Sequence, residues 1–248
     1  MKLLAVVISL MLSSCLYAKQ YHFGAIQGLI EQQVGQRVLP QIYQPIDINI
    51  TITPLPAKRA QHLATTGKND GEIMRIYSYG EENPNTIRIP TPYYQLETMA
   101  FVRADRNIAI KKKSDLQHFR IAKVRGVKHT NNITRGLTNV IDVDSTSQLM
   151  WLVNSGRADV ALTNTLDGVI ALKRLKIDSV KPCGTALATL DLYHYVHQKH
   201  QAIVPTLNQQ IIKMKSSGEL NKLIETAEKN AITRALRSGG TSKPLFGH

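Results

Sequence analysis

The stretch Asp47 to Ile76, DINITITPLPAKRAQHLATTGKNDGEIMRI, decides the fold class. Its first seven residues alternate, with Ile48, Ile50 and Ile52 on one face, which is the periodicity of a strand. Pro54 and Pro56 end that strand, and Pro56 suits the first turn of a helix running to about Thr66. Gly67 stops the helix, and Asp70 to Ile76 returns as a strand. Upstream, Tyr21 to Ala25 reads as a strand, and Leu29, Ile30, Val34, Val38, Leu39 and Ile42 follow at helical spacing. Together these make a βαβαβ unit, whose crossovers imply a parallel sheet covered by helices.

A second series begins near Ser114. Phe119 to Val124 reads as a strand ending at Arg125-Gly126, Lys128 to Leu137 as a helix and Val140 to Val143 as a strand. Ser145 to Ser155 is a helix carrying Leu149, Met150, Leu152 and Val153; Gly156 breaks it, Ala158 to Leu162 is a strand, and Thr165 to Leu175 is helical. Two extended segments, Leu96 to Val102 and Leu192 to Val196, connect the series. The expected architecture is therefore α/β, with two lobes joined by two crossing strands: 19–100 and 197–236 in lobe 1, and 101–196 in lobe 2. Near the end, Leu207, Ile211, Ile212 and Met214 mark a helix, Ser216 and Glu219 have capping-box spacing for another, and 237–248 reads as a frayed tail.

The chain begins with a cationic start, Met1-Lys2, an apolar run from Leu3 to Leu12 and small residues through Ala18, the pattern of a secretory signal peptide. No later run reaches the roughly 18 apolar residues of a membrane span. Two processing sites compete: Leu12-Ser13-Ser14-Cys15 is like a lipobox, whose cysteine would be lipidated, and Leu16-Tyr17-Ala18 suits ordinary cleavage. The small and apolar residues after Cys15 favour cleavage after Ala18, which leaves Cys183 as the only cysteine and no internal disulfide. The expected location is the periplasm. Lys and Arg number 31 against 18 Asp and Glu, but they are dispersed, with Lys111-Lys112-Lys113 the only run. That distribution argues against nucleic acid and fits an exported protein attracted to anionic lipid or an acidic docking surface.

Four pieces carry a resemblance. Ala57-Lys58-Arg59-Ala60 is followed by Gly67 and Asp70-Gly71, and Pro92-Tyr93-Tyr94 precedes the first crossing segment. Ser155-Gly156-Arg157-Ala158-Asp159-Val160-Ala161 and Lys215-Ser216-Ser217-Gly218-Glu219-Leu220 lie further on. Over nearly all of residues 45–230 their order resembles the family 3 extracellular solute-binding proteins of bacterial ABC importers. The resemblance implies the two-lobed periplasmic binding protein-like II fold, a Venus-flytrap clamp. It further implies a monomer without cofactor or metal that captures a small-molecule ligand and delivers it to an inner-membrane ABC permease or receptor.

In such a clamp the ligand sits at the carboxyl ends of the parallel strands, where backbone N–H groups and helix N-termini point outward. Arg75, at the end of one strand, can grip a carboxylate or phosphate, or else pair with Glu72, Glu81 or Glu82. Arg59 falls in a helix first turn, where a cation opposes the helix dipole and calls for a negative partner, ligand or glutamate. Arg125, Gly126, Val127, Lys128 and His129 occupy the place of the family's "x-G-T-T" turn, where N–H groups at a helix start hold an acidic group. Here Val127 and Lys128 replace both hydroxyl residues, so these are either ligand contacts or exposed turn residues. Asn164 stands where amino-acid binders keep an aspartate for the ammonium group, and no arginine follows the third strand for the α-carboxylate. Tyr77 and Tyr93, with Tyr79 and Tyr94, offer an aromatic wall or simply pack. An anionic ligand is favoured over an ordinary amino acid.

An enzyme is the rival class. It needs a carboxylate or histidine with a perturbed pKa beside the cleft. Glu72 and Asp167 are candidates that no sequence pairing supports. No Gly-x-Ser-x-Gly turn, His-Glu-x-x-His or paired-cysteine spacing occurs. His194, His197 and His200 are spaced by three, but on a crossing strand the first two fall on opposite faces. Binding without catalysis or metal is the expectation, with a chemoreceptor or sensor kinase as an alternative recipient of the closed clamp.

Overall fold

The computed structural model describes residues 20–238. The expected signal peptide with Cys15, and residues 239–248 of the expected tail, lie outside the described residues.

The first lobe is built as the opening stretch implies. Strand β1 (Gln20–Ile26) is followed by α1 (Ile30–Tyr43), β2 (Asn49–Leu55), α2 (Ala57–Thr65) and β3 (Gly71–Ile76). β1 lies between β2 and β3 and is parallel to both. Pro54 does not end β2; it lies inside it, opposite Ala25. β2 is the outer strand of the sheet, and an edge strand tolerates a residue that cannot donate to a ladder. Gly67 stops α2 with φ 71°, a left-handed conformation open to glycine at little cost. After β3 come a short helix α3 (Ser78–Glu82) and strand β4 (Thr86–Arg88), which hydrophobic periodicity did not reveal.

Strand β5 (Tyr94–Arg103) carries the chain into the second lobe, which contains β6 (Ile121–Val124), α4 (Lys128–Thr134), β7 (Val140–Val143), α5 (Thr146–Asn154), β8 (Val160–Asn164) and α6 (Thr165–Leu175). Strand β9 (Val180–His197) returns, and α7 (Val204–Ser216) and α8 (Glu219–Ser238) close the chain. β9 begins well before the expected Leu192. Its start holds Pro182 and Gly184, and there β9 pairs only with β5 and its other edge is open, a place where proline is tolerated.

All nine strands form one sheet, ordered β2-β1-β3-β9-β5-β8-β6-β7, with β4 also on β9. β9 therefore pairs with β3 of the first lobe at one end and with β5 along its length. The β5–β9 register breaks at one point, where Gly184 to Leu187 stand opposite Met99 alone.

The expected Ser216 capping box is corrected by one residue. Ser216 ends α7, its hydroxyl donating to the Lys213 carbonyl at 2.9 Å, while Ser217 Oγ accepts from the Glu219 N–H at 3.4 Å. α8 also continues through Arg237 and Ser238, which the sequence had placed in the tail.

Phe23, Val34, Val38, Ile42, Ile73 and Leu207 centre the first core. Lobe 2 covers both faces of its sheet: Leu149, Met150 and Val153 pack with Phe101 on one, and Ile110, Leu116 and Ile133 pack with Val102 and Leu162 on the other. Ile170 of α6 joins the first core, with Leu166 packed against it, and a smaller apolar cluster of Ile26, Leu29, Ala57 and Val127 also lies where the lobes meet.

Candidate functional site

The strand ends of the two lobes face one another across a closed crevice. β1 turns through Gly28 (φ 79°) into α1, and this corner is fixed by Gln32, which accepts from the Ile26 N–H and donates to the Met74 carbonyl, both at 3.0 Å. From the other side Gly126, with φ 76°, presses the turn after β6 against α2. A Cβ on Gly126 would lie 3.0 Å from Cβ of Ala57. Val127 fills the space between Ile26, Leu29 and Ala57. What remains is a cavity of about 20 Å³, bordered by Arg75, Val127, Lys128 and His129. A single water needs roughly 10–15 Å³ of such volume, so the crevice centre in this state holds a water and no larger molecule.

Polar contacts across the crevice keep the lobes together. Lys128 pairs with Glu82, and Asn132 Nδ2 donates to Ser78 Oγ at 3.0 Å. Asn164 Nδ2 donates to Glu31 Oε2 at 3.3 Å, and Asp167 Oδ1 accepts from the N–H of Ile30, the first residue of α1, at 2.6 Å. An acidic oxygen at a helix N-terminus is favoured by the helix dipole and by the orphan N–H groups there.

The residues singled out in the sequence fall into two groups. Arg75 is only 4% exposed; it pairs with Glu72, donates to the Ala57 carbonyl at 3.2 Å and lies 4.9 Å over the Tyr79 ring. Tyr93 is buried, its hydroxyl donating to the Ile73 carbonyl at 2.6 Å. His129 Nδ1 and Thr98 Oγ1 are 2.7 Å apart in the interior, and burial lowers the imidazole to about 4, so it is neutral near neutrality. Asn164 caps α6, accepting from the Leu166 N–H at 2.8 Å. Arg59 and Arg125, by contrast, are exposed, with Arg125 3.9 Å from Asp144. Tyr77 is 52% exposed and stacks on the Arg88 guanidinium at 3.5 Å. The structure thus gathers Arg75, Val127, Lys128 and His129 at one small cavity, places Gly126 on the lobe contact and leaves Arg59, Tyr77 and Arg125 at the rim.

The Glu31–Asp167 pair escaped the sequence reading. Glu31 is 2% exposed and Asp167 4%, and the two carboxyls are neighbours. Burial pushes both carboxyls above the ordinary range, Asp167 furthest, with the neighbouring Glu31 charge adding to it. A proton shared between them is the physical outcome, because two enclosed carboxylates in contact cannot both ionise cheaply. The signal was present: Glu31, Val34, Val38 and Ile42 lie on one stripe of α1, and a glutamate on an apolar stripe needs a buried partner. An aspartate at 164 would add a third carboxyl here, whereas the amide supplies the donor that Glu31 accepts.

The three spaced histidines take separate roles. His194 is wholly buried between the Tyr43 hydroxyl and the Glu72 carbonyl, His197 packs on Gly67, and His200 contacts Asp70 at 2.5 Å. Among the described residues no group of His, Cys, Asp and Glu is arranged to hold a metal, and no helix is long and apolar enough to cross a membrane.

Two α/β lobes, strand ends facing a crevice and two antiparallel connecting strands define the periplasmic-binding-protein fold, and comparison with solved structures shows the same fold. A histidine kinase sensor domain with similarity to periplasmic binding proteins aligns with TM-score 0.71 and 14% identity over 84% of this chain and 96% of that one. An ancestral arginine-binding protein bound to arginine aligns at 0.69 and 17%, covering 84% and 97%. An amino acid ABC transporter substrate-binding protein of Streptococcus pneumoniae bound to L-arginine aligns at 0.66 and 15%, covering 86% and 96%. By sequence, an uncharacterized protein of Shewanella oneidensis is 26% identical over 181 residues, 70% of this chain and 68% of that protein. No family model matches the chain.

Proposed function

We propose that the mature chain is a periplasmic solute-binding protein of the family 3 type, which closes its lobes on a small anionic molecule and converts nothing. The observation that carries this reading is the crevice itself: strand-end turns from two lobes meet there through the Ile26, Leu29, Ala57 and Val127 cluster and through polar side chains from both sides. The lobes are joined through β5 and β9, whose register break opposite Met99 is a natural place to flex. Opening at that hinge would return these contacts to water, and a ligand between the lobes would take their place, as hinged closure around a ligand requires. Arg59, Tyr77, Arg125 and Lys128 at the rim, with the Gly126–Val127 turn behind them, would meet an anion first; Arg75, Tyr93, His129 and Asn164 support them from within. The clamp acts as a monomer and passes its ligand to an ABC permease.

A second reading gives the closed clamp to a membrane receptor instead, and the likeness to a sensor domain of a histidine kinase favours it. Both readings share the binding step. Thermal-shift screening of the mature protein against small carboxylates, phosphates, amino acids, polyamines and sugars tests that step, because a ligand selective for the folded state raises the midpoint. Saturable stabilisation by one class without product formation is expected. No stabilisation by any class, together with chemical conversion of a substrate panel, would refute the binding reading.

A further inference from the structure

Beside the crevice centre lies a roomier pocket that touches both lobes, of about 300 Å³, lined by α1, α5, α6 and α8. Its volume is at the lower end of small-molecule sites and some fifteen times that of the crevice cavity. We propose that this lateral pocket binds a small organic oxyanion, a carboxylate or phosphate compound, between the N-terminus of α5 and the guanidinium groups of Arg174 and Arg234.

Three independent features converge there. α5 is a nine-residue helix whose cap, Ser145, spends its hydroxyl on the Gln148 N–H at 3.3 Å. The backbone N–H groups of Thr146 and Ser147 therefore remain as donors at the positive end of the helix dipole. Thr146, 8% exposed, lines the pocket, and its enclosed hydroxyl has no partner among the described residues. An enclosed hydroxyl without a partner costs free energy that a ligand oxygen would recover. Finally, Arg174 and Arg234 approach from α6 and α8. Arg174 Nη2 donates to Ser147 Oγ at 2.5 Å, which holds the guanidinium beside the helix start, and neither arginine makes an ion pair among the described residues.

The one acid in the lining, Asp167, does not quench this charge. Its Oδ1 accepts from the Ile30 N–H, its enclosed Oδ2 has no hydrogen-bond partner among the described residues, and burial with the adjacent Glu31 charge pushes its carboxyl well above the ordinary range. A guanidinium pair left unneutralised next to a helix N-terminus suits two or three oxygens on one ligand group, because the planar forks bind such groups bidentately. Since α1 and α8 come from one lobe and α5 and α6 from the other, an occupant would brace the closed state from the side. The inference stands apart from the crevice reading, which concerns Arg59, Arg125 and Lys128.

The experiment titrates the mature protein with citrate, succinate and inorganic phosphate by calorimetry and thermal shift, against chloride at equal ionic strength to remove the general effect of a basic protein. At least one of these probes should bind saturably. Arg174→Gln with Arg234→Gln should weaken it at least tenfold with the unliganded midpoint unchanged, and Thr146→Val should weaken it less, by roughly three- to tenfold. Arg59→Ala with Arg125→Ala, which touches none of the contacts between the lobes, should leave it intact. If none of the three oxyanions binds beyond the chloride control, or if the Arg174 and Arg234 pair can be replaced without loss, the lateral site is refuted. Binding that disappears with Arg59 and Arg125 but survives loss of Arg174 and Arg234 would refute it while upholding the crevice.

Discussion

Arg75 is where structural and ligand roles part most cleanly. It is 4% exposed and its partner Glu72 is 1% exposed, so replacing Arg75 by Met leaves a carboxylate enclosed with no cation. Breaking such a pair from one side costs about 3–5 kcal/mol, and the Ala57 carbonyl, now without its 3.2 Å donor, adds about 1 kcal/mol. For a folded unit of some 220 residues, each kcal/mol shifts the midpoint by about 2–4 °C, so Arg75→Met should melt roughly 8–24 °C below wild type. Glu72→Leu combined with Arg75→Met removes both charges and should recover most of that loss. Thermal unfolding followed by far-ultraviolet circular dichroism on the four proteins of this double-mutant cycle gives the coupling directly. The reasoning fails if Arg75→Met melts within about 2 °C of wild type while abolishing anion binding. That result would make the arginine a ligand grip and the Glu72 pair dispensable.

Titration gives two further expectations of opposite sign. Glu31 and Asp167 have raised folded-state values, so their contribution is whole below the ordinary carboxyl range and is lost as pH climbs through the raised values. The melting midpoint should therefore fall as pH rises above the ordinary carboxyl range, and Asp167→Asn, which keeps an oxygen for the Ile30 N–H, should flatten that limb; an unchanged limb would refute the shared proton. His129 and His194 are each lowered to about 4 by burial, so stability present above pH 6.5 should drain away as pH falls towards 4. Nuclear magnetic resonance titration of the ring carbons checks this, with ordinary values near 6.5 as the contrary result. Gly168 packs so tightly that an added Cβ would sit 2.1 Å from the Phe101 ring, and Gly168→Ala should cost about 1–3 kcal/mol in urea unfolding. A loss under about 0.5 kcal/mol would show that α6 can shift.

Local pattern carried the sequence reading wherever an element decides its own conformation. The alternation of Ile48, Ile50 and Ile52, the glycine after α2 and the apolar spacing of α1 depend on neighbours a few residues away. Pro54 was misleading because whether a strand tolerates proline depends on which edge is bare, a property of the assembled sheet. Arg75 was legible only as two alternatives: a pair with Glu72, three residues away, or a ligand in the cleft. Asn164 shows the harder limit. It was recognised as a departure from an ammonium-binding pattern, but its amide serves Glu31, 133 residues away, and only the closed lobes bring them together.

The path of the chain has a consequence for when this protein can fold. β1, near the amino end, shares a core with β9, and α1 packs against the last helix, α8, through Ala227, Ala231 and Ala235. Tyr94 at the start of β5 donates to Glu228 of α8 at 2.6 Å. The first lobe therefore stays incomplete until almost the whole chain is available, whereas β6 to β8 and their helices can assemble earlier. Such a nascent chain keeps much of its apolar surface unpaired until its carboxyl end arrives. That delay predicts that deletion of residues 219–238 leaves lobe 1 exposed to proteolysis while lobe 2 resists.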